Sequence, residues 1–380
     1  MIKETYLTLF IVFLILHLAF GLKITDEKRN TLSGRNGKFL SVFSIIRFPN
    51  NECVSTNPLY NGTCLSSAEC STGGGTAYGT CASGFGVCCV FVVSTCGSTS
   101  NKNCTYFQNP EYPTGVNPQL QCSLTVQKCN PNICQLRLDF QDFVIAQPNT
   151  AEYSEDAANY QGQCDTDSFT ISGGSNPIPI LCGNNTGQHM YVDMSSGQNA
   201  FTMTFSIGNG PGEENGARTW NVKITQLPCS SITNAPAQCL QYYTSTTGTL
   251  TSFNYGDGLT HLANQDYAIC IRMAEGYCGI CYTACSDSAI GISDGSDPKV
   301  GAASCNLDWL NIAGGFAQGT TKSADRFCGM GLVAADGDNP SPICTTSKPF
   351  EVRFRTNQNE AEDDADTGFC VNYNQQPCNR

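Results

Sequence analysis

The sequence predicts an all-β protein, two β-sandwiches in tandem behind a small cysteine-rich knot. Three observations carry that expectation. From Cys96 to Cys378, short β-rich runs such as "CSLTVQKC", "CQLRLDFQDFVI", "DSFTISG", "AFTMTFSIG" and "TWNVKITQL" alternate with Gly, Asn, Pro and Ser clusters, and no long stretch shows helical periodicity. The same region repeats itself, at about 135 residues per copy. Ahead of it, residues 51–91 hold six cysteines in a stretch too short to bury a core of its own.

The elements follow in chain order. Residues 5–20, "TYLTLFIVFLILHLAF", are an apolar run preceded by Lys3, with small residues Ala19 and Gly21 before a cleavage point. This pattern reads as a secretory signal peptide over 1–21, which places the protein outside the cell with a mature chain from Leu22. No other stretch approaches the length that crosses a bilayer, so no membrane insertion is expected. Residues 22–50 are cysteine-free, basic around Lys28-Arg29 and rich in Gly and Asn, and read as a loosely ordered leader. All 24 cysteines come later, and in an oxidising route that even number reads as a framework of up to twelve bridges with no free thiol. Sequons at Asn61, Asn103 and Asn184 are possible glycan sites on surface loops.

The net charge of −12 gives no electrostatic reason to bind nucleic acid or an anionic membrane. The densest acidic run, "NEAEDDAD" over 359–366, reads as a solvated loop.

In the 51–91 region, "GTCASGFGVCCVF" ends on adjacent cysteines, Cys88 and Cys89. Neighbouring cysteines rarely bond each other, because the small ring strains the peptide between them. Each must reach a different partner, or both hold a metal. Zinc is the weaker reading, since no histidine accompanies the cluster and the chain is expected to be secreted.

The repeat shows in ordered matches. Cys96 precedes Tyr112 of "NPEYP" by the same sixteen residues that separate Cys239 from Tyr255 of "SFNY". "CDTDSFTI" from Cys164 answers "CNLDWLNI" from Cys305, "LCG" at 181 answers "FCG" at 327, and "QLPC" at Cys229 answers "QQPC" at Cys378. Two domains, 96–229 and 239–378, with "SSITNAPAQ" as a short linker, fit this pattern.

On these motifs both halves resemble CUB domains, the first through "NPEYP", "CSLTV", "LRLDFQDF", "CDTDSF" and "LCG", the second through "SFNY", "CIRM", "CNLDWLNI" and "FCG". Phrases such as "CQLRLDF" and "GQHMY" resemble secreted arthropod members in particular. The resemblance implies jelly-roll β-sandwiches. It also implies bridges Cys164–Cys182 and Cys305–Cys328, and less directly Cys96–Cys122 and Cys239–Cys270. The family's usual Trp after the second cysteine is replaced by Leu124 and Arg272. Spacing does not pair the additional cysteines Cys104, Cys129, Cys134, Cys229, Cys278, Cys281, Cys285, Cys344, Cys370 and Cys378. The six-cysteine stretch at 51–91 resembles a clip-like domain, which implies Cys53–Cys88, Cys64–Cys81 and Cys70–Cys89.

Catalytic signatures are missing from the sequence. There is no G-x-S-x-G, no H-E-x-x-H and no P-loop, and the three histidines are His17, His189 and His261. His189 reads as a hydrogen-bonded packing residue, and His261 receives no role. "CGICYTAC", from Cys278, lacks the helix N-terminus within a βαβ unit that a redox C-x-x-C needs, so it reads as structural disulfides.

Some CUB domains bind calcium through a Glu, the Asp of C-x-x-D and a late Asp. By the motif alignment Asp167 and Asp308 keep the middle position, while the Glu falls at Ala146 and Ile290 and the late Asp at Gly208 or Asn209 and at Asn357. Calcium wants six to eight oxygens, so Asp167 and Asp308 are weak candidates and no cofactor is expected. No specific site is expected in the first half, while in the second the acidic run Glu360, Glu362, Asp363, Asp364 and Asp366 could fold back to give weak, salt-sensitive binding. The resemblance therefore implies a non-enzymatic extracellular protein that recognises protein or glycan partners. An accessory relative of clip/CUB proteases, or a component of extracellular matrix or cuticle, are the alternatives.

Overall fold

The computed structural model describes residues 47–116, 119–150, 161–195, 197, 199–209, 218–256, 260–292, 297–358, 360 and 367–378. The chain divides into two compact units, Met1–Arg47 and Phe48–Arg380. The expected signal peptide and nearly all of the leader lie outside the described residues, as does most of the acidic run. No helix among the described residues is long and apolar enough to cross a membrane.

The architecture is all-β. In the first sandwich, one sheet runs Thr105–Gln108, Thr219–Pro228, Ile133–Val144, His189–Asp193, with antiparallel neighbours. The facing sheet runs Ser98–Ser100, Leu120–Gln127, Ala200–Ile207, Asp167–Ser172. Strict alternation drives this pairing. In Ala200–Ile207, Phe201, Met203, Phe205 and Ile207 are buried while the Thr and Ser between them face out.

Phe140 and Phe143 break the alternation, yet both are buried. The register shift between Asn221 and Val222 sets Asn221 against Asp142 and Val222 against Phe140, so Gln141 is the extra residue of a bulge. The bulge reverses the parity of the strand and turns the second phenylalanine inward. Phe205 stacks on Trp220 at 4.3 Å, and Phe169 meets Phe140 and Phe143 edge-on.

The second sandwich is wired differently. Its strands form a continuous path, because Trp309–Ala317 pairs Phe350–Arg355 as far as Asn311 and Ile343–Thr345 from Phe316 onward. Trp309 lies beneath two guanidiniums, Arg326 at 4.0 Å and Arg355 at 5.0 Å from its ring.

The N-terminal knot is joined to the first sandwich rather than strung ahead of it. Its strands Glu52–Val54, Asn61–Leu65, Thr76–Cys81 and Gly86–Val93 pair with one another, and the last runs parallel to Thr105–Gln108. The knot thereby extends one sheet of the sandwich. Tyr106, almost fully buried, accepts the Asn61 N–H at 2.7 Å and donates to the Asn61 carbonyl at 3.0 Å, while Lys223 pairs with Glu52 at 2.6 Å. Gly62 is required where the strands cross, since a Cβ there would lie 2.5 Å from the Cys89 carbonyl oxygen. The short helix Ser67–Thr72 starts on a capping box made by Ser66 and Glu69.

Cys88 and Cys89 sit on one strand and reach different segments. The knot's bridges are Cys53–Cys88, Cys64–Cys81 and Cys70–Cys89. Each sandwich carries Cys96–Cys122, Cys134–Cys229 and Cys164–Cys182, or Cys239–Cys270, Cys278–Cys378 and Cys305–Cys328. The second adds Cys281–Cys344 and Cys285–Cys370. That makes eleven bridges, with Cys104 and Cys129 free, which corrects the expectation of a fully bonded framework. An even count permits complete pairing, but a bridge forms only where two backbones approach closely enough. Cys104 is wholly buried, which pushes its thiol up to about 11, whereas Cys129 is exposed.

Candidate functional site

The carboxylates of the two C-x-x-D motifs are both buried, but in different company. In the first sandwich, Asp167 Oδ2 meets Arg218 Nε at 2.6 Å, and its Oδ1 lies 3.3 Å from a second Arg218 nitrogen. The Ala146 N–H donates to Oδ2 at 2.8 Å and the Gly208 N–H to Oδ1 at 2.9 Å. Ala146 and Gly208 are the positions where a calcium ligand set would place its other acids. Here they supply amide hydrogens, and Arg218 supplies the cation. This donor set does not fit calcium.

In the second sandwich, Asp308 Oδ1 accepts the Asn357 N–H, as Asp167 accepts that of Gly208. The two domains therefore align at that loop. The Glu position is corrected by the structure. The Ile145 N–H donates to the Gly183 carbonyl as the Ile292 N–H does to that of Gly329, so on this donor pairing the equivalent of Ala146 follows Ile292 and lies outside the described residues. Ile290 instead pairs with Phe369 in the core.

His261, to which the sequence reading gave no role, is brought to Asp308 together with Glu360. Their ligand atoms all lie within 4.8 Å of one another, and all three side chains are buried. His261 Nε2 is 3.4 Å from Glu360 Oε2. Burial disfavours the charged imidazole and lowers its pKa to about 4. Asp308 is marked by its C-x-x-D motif and Glu360 lies in the acidic run, but His261 comes from a separate segment, so no local signal joins it to them.

The sequons differ in access. Asn184 is exposed, and Asn61 and Asn103 are half-buried. Asn103 Oδ1 accepts the N–H of Cys104 at 2.9 Å and of Gln226 at 2.7 Å. It lines a cleft of about 680 Å³ between the knot and the first sandwich, with Glu52, Glu69, Phe91, Lys102 and Asn130 on its walls.

The linker is held rather than loose. Gln135, buried on the first sandwich, donates to the Ala235 carbonyl and accepts its N–H, both at 2.8 Å. Beyond it, Gln241 donates to the His189 carbonyl, and the Tyr242 N–H donates to His189 Nε2 at 3.2 Å. Asn254 is wholly buried: its Oδ1 accepts from Asn184 N–H and its amide donates to Gln147 and to the Thr260 carbonyl.

His189 makes this junction sensitive to acid. Burial, with the nearby Arg137 charge, lowers its pKa to about 4, opposed by Asp139 and the Tyr242 backbone. A lowered folded pKa means that the stabilisation is full above the unfolded value of 6.5 and is lost as pH falls toward 4. Between pH 7 and 5 the His189 contribution is expected to fall by about 2 kcal/mol. Urea titrations across that range should give a shallower pH dependence for His189→Gln; an unchanged slope would show that the ring does not titrate there.

Comparison with known proteins adds family and fold. Residues 96–216 match the CUB domain model and residues 236–376 that of the animal CUB domain. No curated protein matches the sequence. Among solved structures, the chain is similar to the CUB1-EGF-CUB2 domains of rat MASP-1, at 16% identity, covering 74% of this chain and 99% of that one with a TM-score of 0.24. It is also similar to the CUB1-EGF-CUB2 domain of human MASP-1/3, at 13% identity, 71% and 98% coverage and a TM-score of 0.23. For the full extracellular region of zebrafish Gpr126/Adgrg6 the identity is 11%, the coverage 76% and 37%, and the TM-score 0.24.

Proposed function

The chain is a CUB-domain protein with one such domain in each half, and from that premise we propose that it is secreted and recognises extracellular protein or glycan partners without catalysing a reaction. The observation that carries this reading is that the family matches are to CUB domains alone, which are non-catalytic binding modules. The histidines agree with it. His189 is occupied in packing the junction, and His261 faces two carboxylates.

Recognition in the first domain is independent of calcium, because Arg218 already neutralises Asp167 where the ion would sit. The knot's bridges Cys53–Cys88, Cys64–Cys81 and Cys70–Cys89 support a clip-like reading, and the knot forms one wall of the cleft beside Asn103. A glycan on Asn184 would project from the outside of the junction.

The test is capture of extracellular proteins and immobilised glycans by the full chain, with and without a calcium chelator, alongside labelling with serine- and cysteine-hydrolase probes. Saturable, chelator-resistant binding and no label are expected. Stoichiometric probe labelling would overturn the non-enzymatic reading, and binding by the unaltered chain that a calcium-selective chelator abolishes and added calcium alone restores would overturn calcium independence.

A further inference from the structure

We propose that His261, Asp308 and Glu360 form a zinc-type divalent metal site in the second CUB domain, where it meets the first. The side chains are all buried, their ligand atoms lie within 4.8 Å of one another, and neither ring nitrogen of His261 makes a hydrogen bond among the described residues. The 3.4 Å between His261 Nε2 and Glu360 Oε2 matches the separation of about 3.3 Å between two ligands of a tetrahedral ion with bonds near 2.0 Å.

The donor set selects the metal class. One imidazole nitrogen and two carboxylates suit zinc, with a fourth position for water, whereas calcium takes oxygen donors in larger number. The calcium that the family resemblance implies is therefore not the ion these residues fit. A divalent ion between two neighbouring carboxylates offsets the repulsion that their ionised forms would feel.

The repeat supplies an internal comparison. At the equivalent place in the first domain, the C-x-x-D carboxylate is neutralised by a protein cation, Arg218. In the second domain an imidazole and a second carboxylate are brought to Asp308 instead.

The surroundings are shaped to hold these side chains. A Cβ on Gly162 would lie 2.4 Å from Glu360 Cγ, and one on Gly368 would lie 3.3 Å from His261 Cβ. Gly162 belongs to the first domain. Its carbonyl accepts the Ala263 N–H at 2.9 Å, the Gln161 carbonyl accepts the Glu360 N–H at 3.3 Å, and Gln163 donates to the Gln358 carbonyl at 2.9 Å. A metal at His261 therefore also braces the contact between the domains.

Full-length protein lacking an affinity tag and purified without chelators should contain one zinc per chain by elemental analysis. Stripped and reloaded with cobalt, the wild-type chain should show the visible absorption of a tetrahedral nitrogen–oxygen site, which needs no variant to be folded. His261→Gln and Asp308→Asn should each lose the zinc and the cobalt spectrum, and a large excess of calcium should displace neither ion. Removing zinc should raise amide exchange at Ala263 and Gly162. The proposal is overturned if the wild-type chain takes up no stoichiometric zinc and gives no tetrahedral cobalt spectrum. Zinc retained in His261→Gln, or displaced by calcium, overturns it equally.

Discussion

Replacing Arg218 by Met is expected to destabilise the first CUB domain by about 3–5 kcal/mol, because it leaves the Asp167 carboxylate buried without its cation. Both side chains are essentially inaccessible, so solvent cannot take over from the guanidinium. The Ala146 and Gly208 amides remain, but they only partly offset the desolvation of a full charge. The loss should appear as a lower urea midpoint followed by fluorescence of Trp220, which is buried two residues from Arg218. The double change Asp167→Leu with Arg218→Met should recover much of the stability, since it removes the stranded charge as well. A single-mutant loss below about 1 kcal/mol would mean that the pair is hydrated or dispensable.

Asn254→Ala is expected to cost about 2 kcal/mol and to loosen the junction between the sandwiches, because it removes several part-buried hydrogen bonds at once. The residue is wholly buried with a positive φ of 57°, a conformation Asn tolerates better than Ala. Its side chain satisfies the Asn184 N–H, Gln147 and the Thr260 carbonyl, and its own N–H donates to Asn185 Oδ1. Amide exchange should accelerate at Asn184 and at Tyr242, while strands inside each sandwich stay protected. If exchange at the junction is unchanged, the linker and His189 hold the domains together without this network.

The architecture was legible because its signals are local and periodic. Phe201, Met203, Phe205 and Ile207 alternate with Thr and Ser on one strand, and the answering pairs "CDTDSF" and "CNLDWL", "LCG" and "FCG" mark the repeat. Parity alone misplaces Phe140 or Phe143, since a bulge depends on the partner strand and not on the sequence of its own. Arg218 gave no signal as the partner of Asp167, being a single basic residue at the end of a Gly- and Glu-rich stretch.

What the sequence determined by itself is the all-β class, the two CUB domains and the presence of a disulfide-rich knot, all of which follow from patterning within segments. Whether the knot stands alone was decided by the parallel pairing of Gly86–Val93 with Thr105–Gln108, and whether the linker swings by the grip of Gln135 on Ala235. The same holds for Asp167 and Asp308, which occupy identical motif positions but face an arginine in one domain and His261 with Glu360 in the other. Burial raises the energetic weight of a charge's neighbours, and those neighbours arrive from distant segments, so only the folded chain sets what each carboxylate can bind.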